Sequence, residues 1–500
     1  MRRVLSMATL LAALCTSAFA QDLASFEKRT HLRKLDNGLT VILLERHDAP
    51  VFSYATVVNT GSAQEVPGIT GLAHMFEHMA FKGSDRVGSK NWEAERAALA
   101  KVEQAYTAYD QARRAETGRD EARVKQLEQA WKDAMAEADK HMTNDEFSEI
   151  IDRAGGVGMN AFTASDITAY FFSMPSNRFE LWAYMESERF RQPVFRQFYK
   201  ERDVVNEERR MRTESSPFGR LIEEFTATAF TAHPYGFSGV GWPSDLATFS
   251  ATDAANFAKK YYVPSNMVVA IVGDVNPAEA WPVIEKYFGR LPKAPAPEAL
   301  RTVEPPQRAE RVVTMRDTAQ PLYMEGYHRP AATHPDDDTY DVIAMLLSSG
   351  RTSRLYKSLV RDQKIAAQAA GFNGYPGEKY PNLFTLYGMT TPGHTPDELG
   401  AGIRAEIERL KTEDVPEAEL QSVKTRVKAG LLRQLASNEG LALQLASYHT
   451  LYGDWRMLFR EVEGIDKVTA ADVKRVANAT FRPENRTVAK MESVAKGGAK

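Results

Sequence analysis

The sequence predicts an α+β fold built on a duplicated unit, with a helical hairpin inserted into the first copy. Three observations carry this. Residues 32–62 alternate as short strands, and the period turns helical near residue 70. A helix that runs through an aromatic and a Pro-x-Asn turn into an apolar strand occurs twice. It lies at Asp253 to Val269, with Phe257, Pro264-x-Asn266 and Val268-Val269-Ala270, and at Asp472 to Ala489, with Phe481, Pro483-x-Asn485 and Thr487-Val488-Ala489. Between the copies, Leu291 to Pro306 holds Pro292, Pro295, Pro297, Pro305 and Pro306, residues that neither continue a helix nor fill a central strand.

Taken in order, residues 1–20 read as a secretory signal peptide. Arg2 and Arg3 form the charged end, an apolar run follows, and Ala18-Phe19-Ala20 suits cleavage. The only cysteine, Cys15, lies in that segment, so the mature chain is expected to lack disulfides and to build any metal site from His and carboxylates. The chain of 500 residues is 43% apolar, a globular composition, and its length suggests about two to four domains. With 63 Lys+Arg against 66 Asp+Glu and no basic run, nothing points to nucleic acid as a partner, and no span of the mature chain suits a membrane.

Strands are expected at Leu32 to Leu35, Leu39–Glu45 and Val51–Asn59, the first two joined by an Asp36-Asn37-Gly38 turn. From Trp92 to Met142 the chain is charged and rich in Ala, Glu, Lys and Gln. Apolar stripes on either side of Thr117-Gly118 read as an antiparallel helical hairpin, either a lid or docking arm or simply a hairpin packed on its domain. Thr143 to Glu146 reads as a capping box that restarts the domain. His233-Pro234-Tyr235-Gly236 reads as a structural turn, with chamber lining as the alternative. The expected organisation is a signal peptide (1–20), a first domain (21–290) carrying the insertion 92–142, a linker (291–306), a second domain (307–492) and a tail (493–500).

The chemistry centres on His74-Met75-Phe76-Glu77-His78. Residues four apart share a helix face, so His74 and His78 can aim both imidazoles at one point, with Glu77 bordering that face. Two neutral imidazoles and an open position suit Zn²⁺, and Glu77 then serves as general base toward a water and general acid toward the leaving amine. With 10 His in the chain, chance yields about 0.01 such matches. A third ligand must be a His, Asp or Glu. The run Tyr199 to Arg210 offers Glu201 and Glu208, two helical turns apart on one face, with Glu207 as the rival, and spacing alone does not choose.

These residues resemble the inverted-zincin metallopeptidases of the pitrilysin clan (family M16), in particular bacterial relatives of the mitochondrial processing peptidase β subunit. The likeness covers nearly the whole mature chain. It implies two homologous domains, each a mostly antiparallel sheet flanked by helices. The family's Glu-Arg-x-x-Val-x-x-Glu helix matches Glu201 to Glu208, which implies Glu208 as third zinc ligand and Glu201 as a supporting catalytic carboxylate. The family's Gly-Gly-x-x-Asn-Ala-x-Thr strand is similar to Gly155 to Thr163, shifted by one residue, and implies a substrate-binding edge strand at Asn160, Ala161, Phe162 and Thr163. Two departures stand out: the 92–142 hairpin stretches the interval from His78 to Glu208, and the family's Arg-x6-Tyr falls on Val360 and Ala367, with Arg361 adjacent but turned about 100° away on a helix. The resemblance therefore implies a secreted or periplasmic zinc endopeptidase acting on peptides or unfolded segments. It would be the zinc-carrying subunit of a heterodimer whose partner supplies Arg and Tyr, or else a homodimer. The alternative is a non-catalytic structural or peptide-binding subunit.

Overall fold

The computed structural model describes residue 23 and residues 25–494; the signal-peptide reading, Cys15 and residues 495–500 lie outside the described residues. Two sheets organise the chain, in an α+β fold.

The first sheet contains β1 (Thr30–Lys34), β2 (Thr40–Glu45), β3 (Val51–Val58), β4 (Val157–Thr163), β5 (Thr168–Pro175) and β6 (Met267–Gly273), in the order β1-β2-β6-β3-β5-β4. Only β2 and β6 run parallel, in register Thr40↔Val268. Every residue of β6 is buried, which is why its sequence is continuously apolar instead of alternating. Strand β4 lies at the open edge, paired with β5 alone. The second sheet contains β7 (Arg311–Asp317), β8 (Leu322–Arg329), β9 (Ala366–Tyr375), β10 (Asn382–Thr390) and β11 (Arg486–Ser493), in the order β7-β11-β8-β10-β9.

The recurrence seen in the sequence is physical. Helices α8 (Ala251–Tyr261) and α15 (Ala470–Thr480) open with equivalent capping boxes, Ser250/Asp253 and Thr469/Asp472. Each leads through a single Pro-x-Asn turn into β6 or β11. The turn asparagine closes the helix end in both: Asn266 Nδ2 donates to Tyr261 O (2.9 Å) and Asn485 Nδ2 to Thr480 O (3.0 Å). Both strands then run parallel to one neighbour and antiparallel to the other.

The remaining helices of eight or more residues are α1 (Leu72–Met79), α2 (Trp92–Arg113), α3 (Glu121–Asp139), α4 (Glu146–Arg153), α5 (Phe179–Arg191), α6 (Phe198–Arg209), α7 (Pro217–Ala229), α9 (Pro277–Phe288), α10 (Asp337–Ser348), α11 (Pro396–Thr412), α12 (Glu417–Gln434), α13 (Asn438–Tyr452) and α14 (Met457–Lys467). Two of them cross over. Helix α7, from the first half, sets Leu221, Phe225 and Ala229 against Leu322, Met324, Leu383 and Ala489 of the second sheet. Helix α13, from the second half, sets Leu441, Ala442, Leu445 and Ala446 against Ile42, Ala55, Val57 and Ala270 of the first.

The hairpin α2–α3 is packed, not free. Trp131 stacks on Tyr109 (5.3 Å, 14°) and meets Tyr199 edge-on (5.1 Å, 89°). Arg196 grips Glu95 through Nε (2.7 Å) and Nη2 (3.2 Å), both side chains buried. Arg202 Nη1 donates to Tyr106 Oη (2.7 Å). Its base corrects the capping-box expectation. Lys90 N donates to His141 O and Thr143 N to Gly88 O, a short two-stranded neck that uses up the Thr143 backbone. Asp145 therefore becomes the residue before α4, at φ +52 and without a side-chain cap, while Glu146 turns back to Gly88 N.

Residues 292–310 carry no helix or strand. Leu291 is buried, and Glu304 accepts from the backbone N–H groups of Thr231, Ala232 and His233 (2.8–2.9 Å). His233 to Gly236 forms the expected turn, where Tyr235 Oη donates to Asp166 (2.6 Å). Asp166 also accepts from Glu378 N (2.7 Å) and Lys379 N (3.1 Å), tying the two halves together. A cavity of about 630 Å³ in the second half is lined by Asp337, Asp341, Glu378 and Glu461, with Tyr448 and Tyr452.

Candidate metallopeptidase active site

Helix α1 is seated by two carboxylates that take the place of a side-chain cap. Glu65 accepts from Gly71 N and Ala73 N (2.7 Å each), and Asp245 Oδ2 accepts from Gly68 N, Thr70 N and the Thr70 hydroxyl. Gly71 has φ +94, and a Cβ there would meet Val240 O at 2.7 Å. Leu72, Met75, Phe76 and Met79 fill the core side, leaving His74, Glu77 and His78 toward α6 and β4.

The structure brings the sequence-predicted residues together. Ligand atoms of His74, His78 and Glu208 lie within 4.8 Å of one another, and among the described residues no other trio of His, Cys, Asp or Glu side chains is so arranged. His74 Nε2 is 3.5 Å from Glu208 Oε2, and His78 Nε2 is 3.6 Å from Glu208 Oε1. Glu201, two turns back along α6, accepts from His78 Nδ1 at 3.0 Å. Glu207 instead points outward, 58% exposed, and pairs with Arg210.

The donor set fits a zinc ion. Burial, reinforced by His78 and Arg212, brings the His74 pKa down to about 3, so its imidazole is neutral. Glu208 Oε2 is buried with no hydrogen bond, an orphaned acceptor facing His74, while Oε1 faces His78. The hydrogen bond from His78 holds Glu201 down at about 2, against the opposing effect of its burial, with Lys82 adding to the lowering. Burial opposes charge on His78, yet Glu201 and Glu208 raise its pKa above the ordinary value. Burial also raises Glu77, the direction that brings a carboxyl toward service as a proton carrier.

Strand β4 runs beside Glu77. Asn160 is exposed and pairs with Phe171; Ala161, Phe162 and Thr163 are half-buried and pair with Tyr170, Ala169 and Thr168. The ladder slips between Val157 and Asn160, where Gly158 takes φ +71, so regular pairing starts at Asn160.

Three partners were not foreseen. Lys82 Nζ sits 2.7 Å from Glu201 Oε2. The Thr163 hydroxyl donates to Glu77 Oε2 at 2.7 Å. Arg212 Nη2 approaches Glu208 Oε2 at 3.4 Å. For Arg212 a signal existed, since it lies four residues beyond its partner Glu208; for Lys82 and Thr163 the contacts span 119 and 86 residues and have no local signature. In the second half, Tyr356–Asp362 is a π-helical turn, not an α-helix, so the 100° step assumed for Arg361 does not apply. Val360 rests on the second core, Ala367 is exposed on β9, and Arg361 pairs with its neighbour Asp362.

Two family models match: "Insulinase (Peptidase family M16)" over residues 40–118 and "Peptidase M16 inactive domain" over residues 248–427. Zinc protease PqqE of Helicobacter pylori is 28% identical over 97% of both chains. The probable mitochondrial-processing peptidase subunit beta of Arabidopsis thaliana is 24% identical over 90% of this chain and 76% of its own. Among solved structures, a protease from Helicobacter pylori superposes with a TM-score of 0.78, at 26% identity, over 93% of this chain and 99% of that one. The first half of the periplasmic protease PqqL from Escherichia coli gives 0.67 at 16% identity, over 93% and 92%. With M16 models matching residues 40–118 and 248–427 and a zinc protease aligned along 97% of its length, the chain belongs to peptidase family M16.

Proposed function

We propose that this chain is an active zinc metalloendopeptidase that hydrolyses peptides or unfolded segments. The observation that carries the proposal is the convergence of His74, His78 and Glu208 beside Glu77. The zinc-protease names of its relatives support the metal. His74, His78 and Glu208 hold the ion. When bound, zinc supplies Lewis acidity, polarising the scissile carbonyl and lowering the pKa of water. Glu77 takes a proton from the attacking water and returns it to the leaving amine nitrogen as the C–N bond breaks. Glu201 accepts from His78 Nδ1 and so fixes the tautomer that leaves Nε2 free for the metal. A peptide adds to the open edge at Asn160, Ala161, Phe162 and Thr163 through main-chain pairing.

We place the enzyme outside the cytoplasm, in the periplasm of a bacterial cell, from the signal-like residues 1–20, and the periplasmic fold neighbour is consistent with this. The two units run 21–290 and 307–492, with 291–306 between them. Because Val360 and Ala367 stand where an Arg and a Tyr are expected, the chain acts as the zinc-carrying member of a heterodimer whose partner supplies those donors.

Glu77→Gln tests the chemistry. It should retain one zinc per chain yet lose cleavage of a fluorogenic peptide, and metal-stripped wild type should lose that cleavage too. Unchanged turnover would sink the mechanism. The match of the second half to a model described as inactive favours one other reading, a non-catalytic subunit. Full zinc occupancy without chelator-sensitive cleavage, even with a same-family partner added, would select it.

A further inference from the structure

We propose that the Thr163 side chain is a positioning group for Glu77, so that the strand receiving the substrate also aims the base. This rests on the proposed peptidase reading and adds to it. Thr163 Oγ1 donates to Glu77 Oε2 at 2.7 Å, a charge-assisted hydrogen bond when the carboxylate is ionised. That commits one carboxylate oxygen and leaves Oε1 to meet the attacking water. The donor is itself rigid. Thr163 is β-branched, which restricts its first side-chain torsion. It is the last residue of β4, paired with Thr168. The next residue, Ala164, is fixed from both directions: its N–H donates to Ile167 O (2.8 Å) and its carbonyl accepts from Ser62 N (3.2 Å). The Thr168 hydroxyl in turn donates to Thr60 O (2.9 Å). A hydroxyl held this firmly restricts the carboxylate rotation that a general base must avoid.

The consequence is a link in registry. The main chain of β4 that would pair with substrate and the hydroxyl that orients Glu77 belong to one strand end. A peptide seated on the edge is therefore placed relative to the base by a single rigid segment. Thr163 then contributes to catalysis through its hydroxyl and to binding only through its backbone.

The test compares Thr163→Val and Thr163→Ser with Glu77→Gln in the zinc-loaded full chain, together with any partner it requires, on one fluorogenic peptide. Thr163→Val keeps the shape and the strand preference but deletes the donor. It should lower kcat by about 10–100-fold, the range for losing a hydrogen bond to a charged group, with KM within about twofold and zinc content unchanged. Thr163→Ser should return kcat to near the wild-type value, and adding Thr163→Val to Glu77→Gln should cause no further loss. An unchanged kcat in Thr163→Val overturns the proposal. So does a raised KM at constant kcat, which would mark the hydroxyl as a substrate contact, and so does a Ser variant as defective as Val. If Thr163→Val fails to fold, Thr163→Ala reads the same loss. Glu77→Gln separates the two levels: if it stays active, the peptidase reading falls and this proposal with it; if it is dead while Thr163→Val is unimpaired, only this proposal falls.

Discussion

Replacing Lys82 by Met should weaken zinc binding without touching a ligand. The Lys82 ammonium lies 2.7 Å from Glu201 Oε2, and the other oxygen of that carboxylate accepts from His78 Nδ1 at 3.0 Å. Glu201 is thus held between a cation and a proposed zinc ligand. Methionine keeps the aliphatic stem, and the backbone stays in place because the Lys82 carbonyl accepts from Arg196 Nη1. What is lost is one of the two anchors that fix the carboxylate's angle. A hydrogen bond to a charged group contributes about 1.5–3 kcal/mol. The two side chains are 20% and 16% exposed, so the lower part of that range applies, roughly 1.5–2 kcal/mol. At about 1.4 kcal/mol per decade this becomes roughly a 10–30-fold rise in the zinc Kd, within the span seen when groups behind metal ligands are removed. Competition against a chromogenic chelator at fixed pH measures it. Lys82→Arg should recover most of the affinity. A Kd within twofold of wild type for Lys82→Met would refute the reasoning, because Glu201 would then need no second anchor.

Two further outcomes follow from buried charge. In the second half, burial and neighbouring carboxylates lift Glu378 and Glu461 to about 7 and Asp338 to about 6. Folded pKa values above the unfolded ones favour the protonated fold. Their stabilising contribution is full below about pH 4.5 and fades as pH rises toward 7. Glu461→Gln should therefore raise the melting temperature at pH 8 and leave it nearly unchanged at pH 4.5; equal shifts at both would contradict the assignment. In the first half, Glu95→Gln breaks a buried bidentate pair with Arg196, at a cost of about 3–5 kcal/mol. Amide exchange should accelerate across 92–139 while the second sheet stays protected, and unchanged exchange in the hairpin would show that Arg196 is satisfied without it.

Much of this was legible because it is local. The two imidazoles needed only the helical period, the hairpin only its two stripes, and the internal repeat only the matched Asp253/Asp472 and Asn266/Asn485 positions. The limits lie where distant segments compete for the same groups. Thr143 looked like a cap until the neck of the insertion took its N–H. The spacing within α6 left Glu207 and Glu208 as rivals; packing against α1 turns one inward and leaves the other to Arg210 in solvent. The anchors behind the site, Lys82 on Glu201 and Thr163 on Glu77, span 119 and 86 residues, beyond any periodicity. The crossing of α7 and α13 was equally invisible, since an amphipathic helix does not name the sheet it will cover.

That crossing makes the two halves obligate companions. Severed between the repeats, each piece would expose the sheet face its sister helix covers and carry away an apolar helix with nothing beneath it. Two similar units are in this way packed as one body. The site on α1 is thus braced by residues more than 350 positions downstream, through α13 lying across β3 and β6.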